Sequence, residues 1–81
     1  MDEDLKFVGR SKYRQKVMKS LEAYPKMPSE LARDAEIANN HISNTLKQLA
    51  EHGLVECLNP EVRKGRLYRL TDRGEEVVGK L

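Results

Sequence analysis

The apolar residues of this chain change their spacing several times, and each change marks a new element. Tyr13, Val17, Leu21 and Tyr24 recur at steps of four and three, with Met18 beside them. That spacing lays one apolar stripe along a helix. Ser11 stands where an N-cap belongs, and the helix is expected to run to about Ala23. Pro25 and Pro28 then bound a loop through Lys26 and Met27, because proline interrupts helical hydrogen bonding. Ser29 can cap a second helix reaching about Ala35, with Leu31 and Ala32 turned inward.

Glu36 and Ile37 read as a turn whose isoleucine drops into the core. A third helix starts near Asn39 or Asn40 and runs to His52, burying Ile42, Leu46 and Leu49 with Thr45 and Ala50 alongside. Gly53 ends it, since a glycine just past a helix adopts the left-handed conformation at low cost. Leu54 to Leu58 alternates only in part, yet its valine, cysteine and leucine content favours a strand. Asn59 to Gly65 contains proline and glycine and is a loop, and Leu67 to Leu70 is the return strand. Asp72 followed by Glu75 resembles a capping box for a last helix carrying Val77, Val78 and Leu81, with Thr71 the competing cap.

The order is helix, helix, helix, strand, loop, strand, helix, which is an α+β domain. A two-stranded hairpin is marginal alone and has to pack on the helices. The last helix is expected against the first, and a third strand partner is either a single bridge near Met27 or absent. Residues 1–9 read as an acidic, flexible lead-in, and residues 10–81 as the domain. With 81 residues, 38% apolar and 35% charged, the core must be economical. The chain has no apolar run long enough for a membrane, and its start, Met1-Asp2-Glu3-Asp4, is acidic where a secretory leader is basic. A cytoplasmic location is the expectation.

Chemistry is sparse. Cys57 is the one cysteine and reads as a half-buried strand residue, and His41 and His52 have no convincing third ligand. Paired carboxylates, a phosphate loop and a nucleophile–base pair are all missing, so neither catalysis nor a metal or other cofactor is expected. The charge pattern says more than the net +2. Seven basic residues face one acid between Lys6 and Lys26, the middle to Leu58 is mildly acidic, and Asn59 to Arg73 is basic again.

If Ile42, Leu46 and Leu49 point inward, the third helix presents Asn39, Asn40, Ser43, Asn44, Lys47 and in part Gln48 outward. Amides pair with adenine edges in the major groove of DNA, and lysine reaches guanine or phosphate. The alternative is a plain solvated face. Arg63, Lys64 and Arg66 crowd the hairpin tip, where they can approach a phosphate backbone or a narrow minor groove, or simply protect an edge. Lys12 and Lys16 are candidates for flanking phosphates, and Arg14 and Lys19 share their outer face. Tyr68 is expected to pack inward.

The runs PSELARDAEIANNHISNTLKQLAEHGLVE and RKGRLYRLTDRGEEVV resemble the winged helix-turn-helix family, especially small archaeal and bacterial regulators related to MarR and ArsR proteins. The resemblance covers about residues 11–81. It implies a three-helix core, a two-stranded β-hairpin wing and a C-terminal helix. It also implies sequence-specific binding of double-stranded DNA, with Asn39, Asn40, Ser43, Asn44 and Lys47 in the major groove and Arg63, Lys64 and Arg66 in the wing. A homodimer on a two-fold-symmetric site goes with it. Glu36 stands where the turn commonly has glycine, and Ala38 where a polar cap is common. A winged-helix module that binds protein within a nucleic-acid complex is the other reading.

Overall fold

A computed structural model of the protein describes residues 2–81. Its elements in chain order are α1 (Asp2–Gly9), α2 (Lys12–Leu21), α3 (Pro28–Ala35), α4 (Asn39–Glu51), β1 (Val55–Cys57), β2 (Tyr68–Leu70) and α5 (Asp72–Gly79). This is the winged helix-turn-helix arrangement that the sequence suggests, with one addition. No helix among the described residues is long and apolar enough to cross a membrane.

The addition is α1. The acidic stretch expected to be a loose lead-in is helical from Asp2, while Met1 lies outside the described residues. Val8 is fully buried, Leu5 and Phe7 pack partly against the core, and Asp4 is only 3% exposed. A carboxylate that deep needs partners. Arg73 supplies them, its Nη2 donating to Asp4 Oδ1 at 2.7 Å and its Nε to Oδ2 at 3.2 Å. His52 Nε2 lies 3.0 Å from Asp4 Oδ1, and its ring stacks on Phe7 at 4.0 Å. The helix thus closes over the ends of α4 and α5.

In α2 the Ser11 side chain accepts from the Arg14 N–H, as expected of an N-cap. The buried stripe is Val17, Met18 and Leu21. Tyr13 and Tyr24, which spacing placed on that stripe, are exposed by 41% and 57%. The helix stops at Leu21, so Tyr24 falls beyond it, over the Lys26 ammonium. In α3 the N-cap is Met27 rather than Ser29. Pro28 takes the first helical position, where its missing N–H costs nothing, and the Glu30 carboxylate accepts from the Met27 N–H at 3.0 Å.

Two helices end in the same way. After α3, Glu36 turns left-handed (φ 56°) and the Ile37 N–H reaches the Ala32 carbonyl at 2.9 Å. After α4, Gly53 (φ 75°) does the same, with the Leu54 N–H on the Leu49 carbonyl at 3.0 Å. Both are six-to-one closures that tuck the next apolar residue inward, and Ile37 and Leu54 are buried. Glycine suits that conformation, whereas Glu36 carries a strain of about 1 kcal/mol there. Ile42, Thr45, Leu46 and Leu49 form the buried face of α4, but Ala50 is exposed.

The strands are shorter than the spacing suggested, pairing Val55 with Leu70, Glu56 with Arg69 and Cys57 with Tyr68. A single bridge does extend the hairpin, and it comes from Lys26, which exchanges both backbone hydrogen bonds with Tyr68. Tyr68 is half-buried against the core. Thr71, not Asp72, caps α5, accepting from the Gly74 N–H and donating to the Gly53 carbonyl at 2.7 Å. The last helix packs on α2 as expected, burying Val77 and Val78, while Leu81 beyond it is exposed.

Hydrogen bonding from Arg73 holds the Asp4 carboxyl below the usual carboxylate range, against the upward push of burial, and the charges of Arg73 and His52 act with it. A depressed folded value stabilises the protein above the unfolded value of about 4 and ceases to do so as pH falls through the folded value. Asp4→Asn is therefore expected to cost about 1–2 kcal/mol at pH 7, allowing for the exposure of Arg73. Urea unfolding at pH 7 and pH 3 should show the gap between variant and wild type narrowing in acid. Ala38 caps α4 from an extended conformation with no side-chain hydrogen bond. Ala38→Ser is expected to add about 1 kcal/mol, read as a rise of roughly 4–8 °C in the circular-dichroism melt.

Candidate nucleic-acid interface

Because Ile42, Thr45, Leu46 and Leu49 are turned inward, the opposite side of α4 is forced outward. Asn39, Asn40, His41, Ser43, Asn44 and Lys47 are all exposed there. The entry to α4 adds a second attraction for anions, since Ala38 leaves the first N–H groups without a side-chain acceptor.

The wing stands beside this face. A groove of about 700 Å³ runs between α4 and the hairpin, with Ser43 and Lys47 on one wall, Arg63 and Arg66 on the other, and Leu46 and Tyr68 also lining it. Asn39, Asn40 and Asn44 lie outside that groove, on the open face and entering end of α4.

The three wing cations have different surroundings. Arg63 and Lys64 are exposed and make no ion pair or hydrogen bond among the described residues. Arg66 folds back on its own loop, its Nε donating to the Val62 carbonyl at 2.6 Å and its Nη2 to the Pro60 carbonyl at 3.1 Å. Asn59 closes the loop base, accepting from the Leu67 N–H at 2.8 Å and donating to the Gly65 carbonyl at 3.1 Å. Gly65 turns the chain left-handed (φ 75°) between them. Arg66 holds the loop that presents its neighbours.

The basic face of α2 divides. Lys12 is exposed beside Tyr13, whose ring meets His41 at 5.3 Å. Lys16 and Lys19 line a recess with Ser20, Lys26 and Asp34. Arg14 is not an outer-face cation. It lies 3.8 Å over the Phe7 ring, donates to the Phe7 carbonyl at 2.7 Å, and sends Nε and Nη2 to Gln48 Oε1 at 3.2 and 3.1 Å. Nothing in the local spacing announces that pairing, because Arg14 and Gln48 are 34 positions apart. The two histidines take separate places, His41 on Tyr13 and His52 on Asp4 and Phe7, and the described residues hold no metal-ligand cluster.

The "Helix-turn-helix domain" family model matches residues 11–57, more than half of the chain. No curated protein matches the sequence. Among solved structures, the chain overlays the transcriptional regulator Tm0710 from Thermotoga maritima with a TM-score of 0.79 at 22% identity, covering 96% of this chain and 56% of that one. A MarR family transcriptional regulator from Silicibacter pomeroyi gives a TM-score of 0.76 at 23% identity, covering 85% and 46%. The transcriptional repressor CouR, bound to a 23-mer DNA duplex, gives 0.72 at 25% identity, covering 83% and 49%. The chain spans about half the length of the structures it overlays. With residues 11–57 matched and α4 and the hairpin set side by side as in these regulators, the chain belongs to the helix-turn-helix domain family, in the winged, MarR-like form.

Proposed function

We propose that this protein regulates transcription by binding double-stranded DNA in a sequence-specific manner. Asn39, Asn40, Ser43, Asn44 and Lys47 enter the major groove, and Arg63 and Lys64 contact phosphates or the neighbouring minor groove. The observation that carries this is the pairing of two exposed surfaces: a row of short amides on α4, and a wing whose free cation Arg63 stands across one groove from Lys47, with Lys64 exposed next to it in the loop. Amides read base edges and cations hold the backbone, so the face combines the two kinds of contact that recognition needs. The repressor CouR, which shares this fold, is described on a DNA duplex.

Lys12 and Lys16 extend the same contact to flanking phosphates. The protein acts as a homodimer, which would place two α4 helices on half-sites one helical turn apart. The competing reading, a winged-helix module that binds protein, draws on the single cation, Lys47, among the outward residues of α4.

Fluorescence anisotropy on mixed-sequence duplexes across a salt series separates the two. Binding should weaken steeply with salt, and the double variant Arg63→Ala, Lys64→Ala should lower the logarithmic slope by roughly 1.8, about 0.9 for each phosphate lost. Asn44→Ala should instead change the preference among duplexes with little change in slope. Wing substitutions that leave affinity and slope unchanged would favour the protein-binding module.

A further inference from the structure

Asn40, Asn44 and Gln48 stand at successive steps of four residues along α4. Each such step turns about 40° around the helix, so this row of amides curls from the open face toward α2. There Gln48 meets Arg14. Arg14 donates twice to the same atom, Gln48 Oε1, through Nε at 3.2 Å and Nη2 at 3.1 Å. A guanidinium has only donors, so the amide oxygen has to face it and the assignment of oxygen and nitrogen is fixed. Both lone pairs of Oε1 are then occupied. Arg14 is itself held by the Phe7 carbonyl at 2.7 Å and by the Phe7 ring face at 3.8 Å.

The Gln48 amide nitrogen has no acceptor in the protein among the described residues, and no buried side-chain nitrogen there lacks a partner. The NH2 group therefore reaches solvent. A glutamine free to turn offers one donor and one acceptor, the pattern that pairs with adenine through N6 and N7. Gln48 offers donors alone.

We infer that Arg14 is a positioning residue which turns Gln48 into a donor-only reader, so that its base-pair position in the DNA site selects guanine rather than adenine. Guanine presents two acceptors in the major groove, O6 and N7, matching the two hydrogens of the NH2 group. Adenine sets its own N6 donor against one of them, and cytosine offers a donor only. The inference rests on the DNA-binding reading and names one residue of its specificity.

The test is selection from a randomised duplex pool, repeated with Gln48→Glu and Arg14→Met. Gln48→Glu keeps an acceptor for Arg14, so the latch persists, but replaces the outward donor with an acceptor. One position of the selected site should switch from guanine to cytosine, with the relative affinity of the two sites moving by about tenfold. Arg14→Met frees the amide oxygen, and the same position should gain adenine. The folded state of both variants is checked by circular dichroism. If Gln48→Glu weakens every duplex alike and leaves the selected sequence unchanged, while Asn44→Ala alters it, this inference is overturned and the DNA reading stands. If the wild-type protein selects no duplex, the DNA reading fails and takes this inference with it.

Discussion

Lys26 joins three parts of the protein, the helices α2 and α3 and the strand β2. Its side chain is 8% exposed, and an ammonium so nearly dry has to be paired. Nζ donates to Asp34 on α3 at 2.8 Å and to Ser20 on α2 at 3.1 Å, and lies under the Tyr24 ring. Its backbone meanwhile exchanges both hydrogen bonds with Tyr68 on β2. The side chain sets α2 against α3 and the main chain sets the hairpin against both. Hydrogen bonding from Lys26 keeps the Asp34 carboxyl below the ordinary carboxylate range, and Asp34 itself stays partly hydrated, which eases the burial of its partner. This junction fixes β2 to the loop between α2 and α3.

The helix-turn-helix and hairpin were legible because they are written in local periodicity: Ile42, Leu46 and Leu49 on one side, glycine at the close of α4, a loop rich in turn residues before Leu67. α1 was not. Its eight residues include Asp2, Glu3 and Asp4, a composition that reads as solvated, and Asp4 finds its partner in Arg73, 69 positions downstream. The misplaced caps share a cause of another kind. Ser29 and Asp72 each stand one or two residues inside the helix, and the roles went to Met27 with Pro28 and Glu30, and to Thr71. Composition locates a helix start to within a turn and leaves the capping atom to the backbone.

The candidate site was legible to the same degree. Rotation around α4 puts Asn40, Ser43, Asn44 and Lys47 outward once the buried stripe is known, and the structure exposes all four. Counting cations served less well, because the count does not show which are engaged. Arg14, Lys26, Arg66, Arg69 and Arg73 are committed to Gln48, Asp34, the loop carbonyls, Glu56 and Asp4 in turn. Those long side chains find partners that no spacing rule reaches. What they leave open is a narrower set, with Lys47 and Arg63 at the groove, Lys64 exposed in the wing loop and Lys12 exposed at the start of α2.

The inward turn of Arg66 has a thermodynamic meaning. Together with Asn59 it ties the loop from Pro60 to Leu67 through side-chain bonds made within the free protein. A flexible loop that orders on meeting a partner loses backbone freedom at that moment, roughly 1–2 kcal/mol for each residue fixed. Here four side-chain hydrogen bonds restrict the loop before any encounter. Arg63 and Lys64, exposed there beside the acid Glu61, then have chiefly their own rotamers to surrender on meeting a partner.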